Sequence, residues 1–106
     1  MDSTQLIKIV QDQNLSELKK VLANNKGIDL SFTTENGDTL LHFAASKLTE
    51  NTLSIIQVLL EGGIDPLSVN KNFQTSIEVA QENNNIPAMT IMKHYVNKKL
   101  QETKNY

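Results

Sequence analysis

The residues best suited to chemistry lie close together. Asp38, Thr39 and His42 bring a carboxylate, a hydroxyl and an imidazole into the phrase Asn36-Gly37-Asp38-Thr39-Leu40-Leu41-His42-Phe43-Ala44-Ala45. Such a trio could serve as a general base or activate a nucleophile. A general base needs a reacting group within hydrogen-bond reach, and a catalytic zinc needs about three protein ligands. The second histidine, His94, stands far along the chain in an unrelated pattern, and there is no cysteine. No His-x-x-x-His or Gly-x-Ser-x-Gly phrase occurs. The four glycines, at 27, 37, 62 and 63, build no phosphate-cradling loop. The expectation is no catalytic residue, no metal site, no cofactor and no enzymatic activity.

Composition narrows the remaining classes. A chain of 106 residues, 39% hydrophobic and 21% charged, is expected to form one domain over 1–106. Net charge is −2, unevenly spread. Residues 37–70 carry one lysine against four acids, and residues 71–106 five lysines against three acids. Arginine, whose planar fork reads phosphates and guanine edges, is absent. Nucleic acid is therefore not an expected partner. No apolar run approaches the roughly 18 residues that span a bilayer, so no membrane partner is expected either. Met1-Asp2-Ser3-Thr4-Gln5 lacks the pattern of a secretion signal. An intracellular protein, cytoplasmic or nuclear, is expected.

The opening phrase recurs. Asn72-Phe73-Gln74-Thr75-Ser76-Ile77-Glu78-Val79-Ala80 repeats it 36 residues on, matching Asn36, Thr39 and Ala44. Gly27-Ile28-Asp29 returns at the same offset as Gly63-Ile64-Asp65. Two phrases sharing one offset mark an internal repeat. Between them lie apolar stripes at helical spacing: Leu15, Leu18 and Leu22; Leu53, Ile56 and Leu60; Ile86, Met89, Met92 and Val96. A shorter helix is expected before each, near Leu6 to Val10, Leu40 to Ser46 and Ser76 to Glu82. Thr39 and Thr75 stand where a hydroxyl would cap open backbone N–H groups. Gly27 and Gly63 stand where the longer helices should stop. Pro87 suits a helix start. From Pro87 to Lys104 nothing breaks the last helix.

This order resembles the ankyrin repeat, whose signature is a Thr-Pro-Leu-His-x-Ala phrase with a period of about 33 residues. Here the phrase reads Thr39-Leu40-Leu41-His42-Phe43-Ala44, with Leu40 in the proline slot, and the family's helix-end phrase reads Gly63-Ile64-Asp65-Pro66. The resemblance covers nearly the whole chain as three units, about 2–36, 37–72 and 73–106. It implies an all-α solenoid of paired antiparallel helices with β-hairpin or loop arms. The longer period is assigned to an insertion at Leu48-Thr49-Glu50 in the second unit, and to a long helix extended through Asn24-Asn25 in the first.

The resemblance implies that Thr39 and His42 bond locally and tie adjacent units together. His42 is then a fastener, and Glu78, in the matching place, weakens the tie of the last unit and leaves that unit the first to fray. It also implies a non-catalytic protein-interaction module, an adaptor or scaffold, presenting a concave surface to a protein or peptide. By position that surface would hold Glu35, Asn36 and Asp38 at one tip, then Ser46 and Lys47. Lys71, Asn72, Phe73 and Gln74 would form the next tip, followed by Glu82 and Asn83. Phe73 replaces Gly37, so its turn is expected to differ and its ring to be partly exposed. Phe32 is the second candidate for an exposed aromatic anchor. The alternative is a self-associating structural domain or the end block of a larger protein, a monomer or weak homodimer joined through Met89, Ile91 and Tyr95.

Overall fold

The computed structural model describes residues 3–24 and 28–104. Those residues form six α-helices and no β-strand. The helices are α1 (Ser3–Gln11), α2 (Leu15–Asn24), α3 (Leu40–Ala45), α4 (Thr52–Glu61), α5 (Ser76–Glu82) and α6 (Ile86–Lys104). Each odd-numbered helix packs on the helix that follows it. In addition α1, α3 and α5 form one layer, and α2, α4 and α6 a second. None of the helices is long and apolar enough to cross a membrane.

The apolar stripes decide this arrangement. Leu6 and Val10 of α1, Leu18 and Val21 of α2, and Ala88 and Met92 of α6 are buried. The middle pair is enclosed on both sides. In α3, Leu40, Leu41, Ala44 and Ala45 are fully buried, as are Ile55, Ile56 and Leu59 in α4. Each buried leucine or isoleucine contributes about 1.5–3 kcal/mol. The two small alanines let α3 lie close to both neighbours.

Helix starts and stops follow local chemistry. Thr39 caps α3 and Thr75 caps α5, each within a reciprocal capping box. At the end of α4, Gly63 adopts φ +97°. Its N–H reaches Leu60 O at 3.0 Å, and Ile64 N–H reaches Leu59 O at 3.4 Å. This double bond closes the helix through a left-handed residue, a Schellman motif. The same motif ends α1 through Gln13 at φ +56° and α5 through Asn84 at φ +55°. There Asn14 N–H reaches Ile9 O at 3.1 Å, and Asn85 N–H reaches Ala80 O at 2.8 Å. Gly27 and Asn25 lie outside the described residues.

The insertion expected at Leu48-Thr49-Glu50 falls in the loop between α3 and α4. Buried amides hold that loop from both sides. Gln13 Oε1 accepts from the hydroxyls of Thr49 and Thr52, both at 2.7 Å. From the other side Asn85 Nδ2 donates to Lys47 O at 2.7 Å and Ala45 O at 3.2 Å. Gln13 and Asn85 are 8% and 1% exposed, so these partners replace the water that burial removes.

Candidate functional site: turns and short helices

His42 is a fastener. The backbone N–H of Thr39 donates to its Nδ1 at 2.9 Å, which leaves the proton on Nε2. Nε2 then donates to Gln74 O at 2.8 Å, in the next turn along the chain. The ring is 3% exposed, and both of its nitrogens are occupied. It has neither a free lone pair nor room for a reacting group. Glu78 performs the local half of this task only. One of its carboxylate oxygens accepts from Thr75 N–H at 3.0 Å. A carboxylate has no proton to donate onward. Among the described residues there is no cluster of three or more potential metal ligands.

The two turns follow one path. Residues 34–38 close with Gly37 N–H to Thr34 O at 2.9 Å and Thr34 N–H to Asp38 O at 3.0 Å. Residues 70–74 close with Phe73 N–H to Asn70 O and Asn70 N–H to Gln74 O, both at 3.0 Å. Thr34 Oγ1 accepts from Asp38 N–H, and Asn70 Oδ1 from Gln74 N–H, in matching places. Gly37 has φ +77° and Phe73 φ +61°. The expectation that Phe73 alters its turn is therefore wrong. The hydrogen bonds of the turn hold the phenylalanine in the left-handed region, a strain of about 1–3 kcal/mol. Its ring is 82% exposed. Phe32 instead packs half-buried against the core, so the expected pair of aromatics is reduced to one.

Between the turns and the short helices lies a groove of about 300 Å³. Of the expected surface residues, Asp38, Ser46, Asn72, Gln74 and Glu82 line it. Glu35, Asn36, Lys47, Lys71, Phe73 and Asn83 are exposed but outside the lining. Asp38 is less available than a turn-tip residue would be, because its Oδ1 accepts from Asn70 Nδ2 at 2.9 Å. Gln74 Nε2 donates to Glu82 Oε1 at 2.6 Å, bridging the turn to α5. Ser46 Oγ donates to Phe43 O at 2.8 Å, and Asn83 Nδ2 to Val79 O at 2.8 Å.

Sequence reasoning missed part of the lining: Phe43 and Val79, and Asn70 beneath the second turn. The signal was present. Phe43 and Val79 each follow a capping threonine by four residues, which puts them one helical turn above it on the same face. The groove carries two carboxylates and no lysine. Met89, Ile91 and Tyr95, the residues expected at a dimer contact, are half-buried against the chain's own core. Tyr95 also donates its hydroxyl to Leu60 O at 3.2 Å.

No protein-family model matches the chain, and no curated protein matches its sequence.

Proposed function

We propose that the chain is an ankyrin-type repeat domain whose function is to bind a protein or peptide without acting on it. The 36-residue recurrence, the two helix layers and the threonine–histidine box support the repeat reading. On this reading the turns at 34–38 and 70–74 take the place of hairpin tips. The observation that carries the binding role is the groove of Asp38, Ser46, Asn72, Gln74 and Glu82. Its side chains are anchored at one atom and open at another. Asp38 and Glu82 each give one oxygen to an amide and keep the other for a ligand. Anchoring lowers the entropy lost on binding. Phe73 stands at the rim as an exposed ring on strained backbone, a suitable contact for an apolar partner group.

A peptide selected from a displayed library by the full chain tests this reading. Lys71→Glu with Phe73→Gly is expected to weaken the selected peptide at least about tenfold, while the melting temperature holds or rises. Backbone NMR shifts are expected at Asn72, Gln74 and Glu82. Unchanged affinity together with shifts confined to other surfaces would end the proposal.

A further inference from the structure

The outer layer carries a second surface of a different kind. The bond from Asn85 Nδ2 to Lys47 O draws the inserted loop against the start of α6. Leu48, 65% exposed, is thereby brought near Ile86, 53% exposed. Leu53, at the start of α4, lines the same open groove as Ile86, Pro87 and Ile91. Of the seven large apolar side chains left exposed among the described residues, three thus gather at one end of one groove. Single exposed leucines need no explanation, but a gathered patch in a groove marks a contact site.

The groove runs between two parallel helices. Leu53 faces Ile86 and Pro87 at one end, and Glu61 faces Lys98 and Lys99 at the other. Ten residues of α4 give it a length of about 15 Å. Its polarity changes along that length, from leucine and isoleucine to a lysine pair opposed by a single acid. Lys99 also stands 5.5 Å from the Tyr95 ring.

These features select an occupant. Inside α4 and α6 the backbone groups are bonded within each helix, so an extended peptide would find no partners for its own N–H and C=O groups. A helix brings those bonds with it and seats its side-chain ridge between two others. A second copy of the chain fits poorly. Two such grooves paired head to head would set lysine against lysine, and paired head to tail would set lysine on leucine. We propose that the α4–α6 groove receives an acidic amphipathic helix of a protein partner, with apolar side chains over Leu48, Leu53 and Ile86 and carboxylates at Lys98 and Lys99. This surface lies on the opposite layer from the turn-side groove and stands independently of it.

The test is titration of the isotopically labelled full chain with a synthetic three-turn helix. The peptide carries leucines along one face and glutamates in its last turn, and a control peptide carries lysines instead. Shifts are expected at Leu53, Gln57, Ile91 and Lys98, with none at Asn72 or Gln74. Leu53→Glu is expected to weaken binding at least about tenfold and Lys98→Glu a few-fold, with added salt reducing the second effect. Ile86→Gln repeats the first arm should Leu53→Glu lower the melting temperature. The proposal is overturned by any of four results: no shifts at millimolar peptide, equal binding of the lysine peptide, dimerisation of the chain that Leu53→Glu abolishes, or stronger shifts at these residues with anionic lipid vesicles than with the peptide.

Discussion

The turn at residues 34–38 and the turn at 70–74 share a backbone path and a hydrogen-bond set but differ at their tightest position. At Gly37 an added Cβ would lie 3.1 Å from Asn70 Cα and 3.2 Å from Lys71 N. Lys71 N–H donates to Asn36 O at 2.9 Å, so the later turn rests on the earlier one. Gly37 therefore satisfies two demands, a positive φ and a close approach. Phe73 meets the first demand at a cost in strain, and its 82% exposure shows that no second demand applies. The path of a turn permits several residues; what is stacked on it decides which. The same contrast holds one helical turn later. His42 caps its own helix and reaches the next turn, whereas Glu78 caps only its own helix.

The largest expected effect is at the crowded turn. Gly37→Phe adds a clash to the strain and should destabilise the chain by about 3 kcal/mol or more, read from urea unfolding. A cost below about 1 kcal/mol would mean that the two turns are not stacked as described. Next is His42→Ala, which leaves Thr39 N–H and Gln74 O without partners in a dry site and should cost about 2–4 kcal/mol. Glu78→Ala should cost only about 1 kcal/mol, the usual value of a lost cap, and Glu78→Gln close to nothing. Equal losses at His42 and Glu78 would erase the distinction between them. The smallest effect has the opposite sign. Phe73→Gly relieves the strain and should raise stability by about 1 kcal/mol, after offsetting the greater freedom of glycine in the unfolded chain.

Much of this architecture was legible in the sequence because it is local and repeated. Thr39 and Thr75 are helix caps, Gly63 is a helix stop, and the apolar stripes define six helices in the expected order. The less legible parts depend on residues that meet only after folding. Gln13 and Asn84 carry the same left-handed stop as Gly63, yet neither residue type announces it. Gly62 has ordinary dihedral angles. Its identity is set by Leu30, whose Cδ1 would lie 2.5 Å from an added Cβ. For the turn-side surface, spacing placed five of its eleven candidates in the groove. The others are equally exposed, and exposure alone does not bring side chains to a common space. Phe73 was misjudged for an energetic reason. A strain of about 1–3 kcal/mol looks prohibitive in isolation but is tolerated when the hydrogen bonds of a turn over-determine the backbone.

The amides of Gln13 and Asn85 have a consequence for how the molecule comes apart. In a stack whose neighbours touch only through apolar surface, an end pair can peel away and leave the rest folded. Here the loop between α3 and α4 depends on one amide from the pair before it and one from the pair after it. Losing either end strands hydroxyls or carbonyls of the middle pair, and that penalty is added to the apolar contacts already lost. Unfolding should therefore be cooperative across all three pairs. Amide hydrogen exchange in α3 should slow or quicken in step with both α1 and α6.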